Sequence, residues 1–310
     1  MVFRVWGALP KPLTVAKNEA PQTRNTIHQT PLIMHTTLSC RGRLLDLSKP
    51  LVMGILNITT DSFYGGSRFM ETDVLLAQVE KMLDEGASML DIGGASSRSG
   101  AQEVDETEET RRVTGAVETI LQHFPDALLS VDTWRASVAQ AAVEAGVAIV
   151  NDISAGRMDQ KMYETVAALQ TPYILMHMKG TPADMQKQPV YEDVVTEVLD
   201  FFIAEITQLR ALGVRDIVLD PGFGFGKTIP HNYTLLKNLH VFGRVTGLPV
   251  LAGLSRKSMI YKYLGIQPEH ALNGTTALHM VALQQGANIL RAHDVKEAVE
   301  TIRLWEAIQL

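Results

Sequence analysis

The residues best equipped for chemistry in this 310-residue chain share one kind of position, the end of a short apolar run. Asn57 closes the run Leu51–Asn57, and Asp61 and Phe63 follow within six residues. Met89–Ile92 gives way to a Gly/Ser-rich stretch that holds Ser97 and Arg98. The next four runs end in Asp132-Thr133, Asn151-Asp152, His177 and Asp220-Pro221. A seventh leads into Ser255-Arg256-Lys257-Ser258, and an eighth into Arg291-Ala292-His293-Asp294. Ionised carboxylates accept hydrogen bonds and donate none, so two Asp and an Asn converging on one mouth suit a flat heterocycle with a donor-rich edge. An Asp ahead of a helix is also a good N-cap, and Asp132 and Asp152 each carry that second reading. Asp294 is read as a cap outright. Arg256, Lys257, Arg291 and His293 gathered on one face of an acidic protein point to an anionic ligand, with Lys257 and Arg291 the expected contacts.

The segment Gly222-Phe-Gly-Phe-Gly-Lys227-Thr228 resembles a phosphate-binding loop but fails as one. That pattern needs Gly at 221, where Pro221 stands. The glycines are read instead as permitting close approach to a ligand, with Phe223 or Phe225 offering an aromatic face. No Cys/His zinc spacing is present, so any metal is expected to be a hard cation carried in with phosphate oxygens. His279 is read as a core or satisfied histidine.

The elements that must position these residues follow from periodicity. The eight apolar runs are Leu51–Asn57, Met89–Ile92, Leu128–Asp132, Ala148–Asn151, Tyr173–His177, Ile217–Asp220, Val250–Gly253 and Ile289–Arg291. Helical patterns follow them at about 72–85, 105–122, 134–145, 159–169, 191–211, 231–241, 273–285 and 295–308. Gly86 and Gly146 stand where C-caps belong. Continuously apolar strands imply burial on both faces, hence a parallel sheet. Eight βα units predict a single (β/α)8 TIM barrel over residues 41–310, with an active site at the C-terminal ends of its strands. An open doubly wound sheet is the competing architecture.

Residues 1–40 lack this rhythm and contain four Pro. They read as a disordered N-terminal extension or as a start placed too far upstream, with Met34 the alternative start. The formal charge, 28 − 34 = −6, argues against a general nucleic-acid or membrane-surface binder. A single Cys excludes an internal disulfide and fits a cytoplasmic protein.

At these motifs the sequence resembles the dihydropteroate synthase family. The resemblance rests on Met53–Asn57 with Asp61-Ser-Phe63, Asp91-Ile-Gly-Gly94, Ser130-Val-Asp-Thr133 and Asn151-Asp-Ile-Ser154. It continues through Met176-His-Met178, Asp220–Lys227, Ser255-Arg-Lys-Ser258 and Arg291-Ala-His-Asp-Val295. It implies condensation of 6-hydroxymethyl-7,8-dihydropterin diphosphate with 4-aminobenzoate, giving 7,8-dihydropteroate and pyrophosphate, with sulfonamides as inhibitors. Carried over by position, Asp132, Asn151 and Asp220 bind the pterin edge, and Lys257 reaches the ring and lines the aminobenzoate pocket. Asn57, Arg291 and His293 hold the diphosphate and its Mg²⁺, with Asn57 on the metal. Asp61, Phe63, Ser97 and Arg98 belong to two closing loops, Asp61 near the developing positive charge. Phe225 and Ser255 flank the aminobenzoate. A homodimer is implied as well.

Two departures stand out. The family has Pro where Thr60 and Ser99 stand here, so looser loops and weaker aminobenzoate or sulfonamide binding are expected. Two other functions compete: a catalytically degenerate pterin-binding paralogue, which the altered loops suggest, and a corrinoid-linked methyltetrahydrofolate methyltransferase. The second is not expected to need Ser255-Arg256-Lys257 or Arg291 and His293.

Overall fold

A computed structural model describes residues 36–58, 68–95, 104–181, 185 and 189–309. The eight expected strands are all present. They are β3 (Leu51–Asn57), β4 (Met89–Gly93), β5 (Leu129–Asp132), β6 (Ile149–Asp152), β7 (Tyr173–Met176), β8 (Ile217–Asp220), β9 (Leu251–Ala252) and β10 (Ile289–Ala292). All pair in parallel, in the order β8-β7-β6-β5-β4-β3-β10-β9. A parallel bridge between Leu219 and Val250 joins the two ends, so the sheet closes into a barrel. The open doubly wound alternative is thereby excluded.

Strand alternation decides what the barrel encloses, because successive side chains point to opposite faces. Val52, Leu56, Leu90, Ile92, Val131, Val150, Leu175, Leu219 and Leu290 pack outward against the helices. Met53, Met89, Ile149, Ile174, Val218, Leu251 and Ile289 pack together inside as an apolar floor. Burying each such side chain contributes roughly 1.5–3 kcal/mol. Two residues further along, the inward position turns polar on five of the eight strands, with Asp91, Ser130, Asn151, Asp220 and Arg291, while Ile55, Met176 and Gly253 occupy it on the other three.

The floor is plugged by a hairpin of β1 (Thr37–Cys40) and β2 (Arg43–Asp46). Leu38, Cys40 and Leu47 are buried against the floor residues. Arg41 and Gly42 make the turn, both at positive φ. The boundary expected at residue 40 therefore moves, since Thr37–Cys40 is part of the barrel's base. Residues 1–35, including Met34, lie outside the described residues.

The helices follow expectation with two corrections. The single helix expected over 231–241 is two, α6 (Ile229–Lys237) and α7 (His240–Thr246). The Asn238 side chain turns back to the Thr234 carbonyl at 2.8 Å and ends the first. A helix absent from the sequence reading, α8 (Ser258–Leu264), follows β9 and closes on Gly265 in the left-handed conformation. The remaining described helices are α1 (Arg68–Asp84), α2 (Glu106–His123), α3 (Ala136–Ala145), α4 (Met162–Leu169), α5 (Val194–Ala211), α9 (Leu272–Gln284) and α10 (Val295–Gln309). Asp105 caps α2 by accepting from the Glu108 N–H at 2.9 Å. Gly146 closes α3 at φ 128°.

Candidate active site

Above the floor a recess opens at the C-terminal ends of the strands. Asp132, Asn151, Ile153, Met176, Asp220, Phe225, Gly253, Lys257 and Arg291 line it. Five of the sequence-derived candidates are thus brought together with Phe225: Asp132, Asn151, Asp220, Lys257 and Arg291. Ile153 and Met176 belong to an apolar wall with Met178, Met185, Trp134 and Phe225.

Arg291 is held from two sides. Its Nε donates to Asp91 at 2.6 Å and its Nη2 to Asp132 at 2.8 Å. Asp91 is fully buried and also accepts from the Asn151 amide at 2.8 Å and the Ser130 hydroxyl at 2.5 Å. The two flanking carboxylates hold Arg291's pKa above even the usual arginine value, against the cost of burial. Asp132 behaves oppositely. Burial pushes its carboxyl up to about 7, opposed by Arg291 and reinforced by Asp91, Asp152 and Glu109. Asp220 is likewise raised by burial, with Lys257, the Gly222 N–H, Arg291 and Lys227 pulling it back. Lys257 is pulled down to about 8 by burial. Its ammonium donates to the Phe223 carbonyl and lies 4.4 Å from the Phe225 ring centre, a cation–π distance.

The other candidates stand differently. Asn57 is exposed at the top of β3, its amide oxygen directed towards Gly93. Ser255 and His293 meet each other, Oγ to Nδ1 at 3.0 Å, across the loops that follow β9 and β10. Asp61, Phe63, Ser97 and Arg98, like Thr60 and Ser99, lie outside the described residues. Asp294, read as a cap, directs its carboxylate into a two-point ion pair with Arg256, both contacts 2.8 Å. Arg256 also donates to the Glu269 carbonyl at 2.8 Å, so it ties loops together. Asp152 points away from the recess, as alternation from Asn151 requires. It gathers the Ser154 and Gly156 N–H groups and the Tyr173 hydroxyl into a loop clamp, all at 2.7 Å. His279 is a buried core histidine, as read, but among the described residues neither ring nitrogen has a hydrogen-bond partner.

Sequence reasoning missed Asp91 as a site residue. Its signal was present, an acid inside an apolar run at the same strand parity as Asn57 and Asp132. The recess as a whole combines acceptors aimed inward, an aromatic face and two cations beside them. That set can grip a donor-edged heterocycle and place positive charge beside an anionic tail.

Comparison with known proteins points the same way. Residues 53–293 match the family model described as pterin binding enzyme. The chain is 44% identical over 272 residues to the dihydropteroate synthase of Haemophilus influenzae, covering 87% of this chain and 98% of that one. It superimposes on a Yersinia pestis dihydropteroate synthase solved with a sulfonamide drug, with TM-score 0.82 and 44% identity, covering 88% and 99% of the two chains. A Xanthomonas albilineans dihydropteroate synthase solved with 4-aminobenzoic acid matches with TM-score 0.82 and 41% identity, covering 88% and 98%.

Proposed function

The chain belongs to the pterin-binding enzyme family, and on that premise we propose that it condenses 6-hydroxymethyl-7,8-dihydropterin diphosphate with 4-aminobenzoate. It is a transferase, and the products are 7,8-dihydropteroate and pyrophosphate, as the names of its relatives imply. The observation that carries the reading is the convergence of Asp132, Asn151, Asp220, Lys257 and Arg291 on one recess. Asp220, Asn151 and Asp132 accept from the amino-pyrimidine edge of the pterin. Lys257 lies where it reaches both the ring and the neighbouring aminobenzoate, beside Phe225. Arg291, fixed by its two carboxylates, brings positive charge to the diphosphate side, with His293 and Ser255 next to it in the fold.

The reaction breaks the C–O bond to diphosphate and forms a C–N bond to the arylamine, which then loses a proton. The leaving diphosphate takes the electron pair, so cations there stabilise the transition state. The arylamine is neutral at pH 7 and needs no strong base before attack. Holding the two reactants in line therefore supplies much of the rate. Asp61, Phe63, Ser97 and Arg98 are proposed, from the motifs alone, to close over the reactants, with Asp61 and Arg98 nearest the chemistry.

Among the described residues no group of three His, Cys, Asp or Glu could cage a metal. Asn57 offers a single amide oxygen. That donor set fits a Mg²⁺ whose other ligands are diphosphate oxygens and water. When bound, the ion would neutralise charge on the leaving group.

Among the described residues no helix is long and apolar enough to cross a membrane, and Cys40 is a free, buried thiol. A cytoplasmic enzyme fits both. A homodimer fits the exposed Leu304 and Ile308 on α10, and light scattering of the purified protein tests it. The reaction is tested by pyrophosphate release. Release should require both substrates together. Tight pterin binding without release would identify a binding paralogue and overturn the assignment.

A further inference from the structure

The lysine of the phosphate-loop lookalike has a different job. Lys227 is buried, and its ammonium meets four acceptors drawn from the loops after β7 and β8. They are His177 Nδ1 at 2.9 Å, the His177 carbonyl at 3.1 Å, the Gly222 carbonyl at 3.0 Å and the Phe225 carbonyl at 2.9 Å. Three of these are carbonyl oxygens, one more than the two N–H groups of a neutral amine can serve, so the geometry calls for the ammonium. Burial draws His177 down to about 2, so its imidazole is neutral, and beside an ammonium, which has no lone pair, its Nδ1 accepts; burial also pulls Lys227 down, against Asp220 and the carbonyl cage that hold the charge.

The same peptides define the recess. Gly222 donates its N–H to the Asp220 carboxylate at 2.7 Å while its carbonyl takes Lys227. The His177 N–H donates to the Asp220 carbonyl at 2.9 Å. The two loops are pressed so close that a Cβ on Gly222 would lie 2.0 Å from the His177 carbonyl oxygen, and one on Gly226 2.1 Å from that of Lys179. Both glycines are at positive φ. A cation centred in this joint holds the loop backbone in one shape and places positive charge behind Asp220.

We propose that Lys227 is a positioning residue for pterin recognition, the internal counter-cation that fixes the β8 loop and keeps the Asp220 carboxylate aimed and ionised for the pterin edge. The proposal rests on the reading that Asp220 binds that edge. A double-mutant cycle on the full chain, read by calorimetric binding of 6-hydroxymethylpterin, separates the two ideas. Asp220→Asn should weaken binding by about 30-fold or more, and Lys227→Met by about tenfold, as expected for losing or misaligning a charge-assisted contact. The two should not add: Lys227→Met in the Asp220→Asn background should cost less than about threefold further. Full additivity, or unchanged affinity in a folded Lys227→Met, overturns the proposal. Unchanged affinity in Asp220→Asn instead overturns the reading of the site. Nitrogen-15 lysine spectra of the unmodified protein do not depend on any variant folding. The Lys227 ammonium signal should be protected from solvent exchange and should move when 6-hydroxymethylpterin is added. A signal that ignores the ligand would equally overturn the role.

Discussion

The two ends of this barrel are built from the same strands and differ completely in chemistry. At the floor, Met53, Met89, Ile149 and Ile289 meet Leu38 and Leu47 of the hairpin in a dry apolar layer. At the rim, Asp91, Asp132, Asp220 and Arg291 on the strands and Lys257 in the loop after β9 are brought together, largely out of solvent. Burying ions costs several kcal/mol each, and mutual attraction recovers it only with good geometry. The floor therefore contributes stability, and the rim spends it on a preformed binding surface.

The largest effect should come from breaking the rim's central pair. Arg291→Met leaves Asp91 and Asp132 buried without their cation, and stability in urea should fall by about 3–5 kcal/mol. Pyrophosphate release by the fraction still folded should fall about 100-fold or more, because transition-state charge loses its partner. Next in size is the matching insult to the floor. Met53→Ala opens a cavity and should cost about 2–5 kcal/mol. Its kcat and KM, measured on folded protein well below the melting transition, should stay close to those of the parent. Equal catalytic damage from both variants would erase the functional contrast between the two ends.

Titration sharpens the comparison further. Asp132 accepts from the pterin best when ionised, and burial pushes its carboxyl up to about 7. Pterin affinity should therefore rise as pH increases from 6 to 8, by roughly tenfold, and Asp132→Asn should flatten that rise. The sign for stability is opposite. A folded-state pKa above the ordinary 3.8 means that the contribution of Asp132 to stability is complete below pH 4. It is lost as pH climbs through about 7. The floor residues carry no charge and add no such slope.

Much of this was readable beforehand, for a physical reason. The eight runs matched the eight strands because a strand buried on both faces must be apolar throughout, and few loops imitate that. The rim residues were readable because a polar group at an inward-facing position near the end of such a run points into the barrel mouth, whereas Asp152, one residue out of that parity, points away. The misses have reasons as well. Asp91 sits inside a run, so it looked like strand rather than site, although strand parity marks it as facing inward. The hairpin at 37–46 is two four-residue strands, too short to build a periodic signal, and only the Arg41-Gly42 turn betrays it. Helix α8 has seven residues, fewer than two full turns. Lys227 was read for what its motif does in other proteins, and only the folded loops could reveal four acceptors around it. Asp294 and Arg256 are adjacent to separate strands, so their pairing is tertiary information.

The smallest effect tests whether buried polarity outside the rim also costs stability without a functional return. His279 lies inside α9 with both ring nitrogens unpartnered among the described residues. Burial draws its pKa down to about 4, opposed only by Asp294. An unfolded histidine titrates near 6.5, so between pH 6.5 and 4 the unfolded chain takes up a proton that the folded chain refuses. This contribution to stability is therefore complete above pH 6.5 and falls as the pH drops, by an amount on the order of 3 kcal/mol at pH 4. His279→Leu removes the orphaned nitrogens and the titration together. At pH 8 it should raise stability by about 1 kcal/mol, the cost of leaving a buried polar group unbonded. The gain should widen on acidification, and pyrophosphate release should be unchanged. A variant no more stable than the parent at either pH would mean that His279 is satisfied in solution, and that outside the rim this barrel buries a polar group at no net cost.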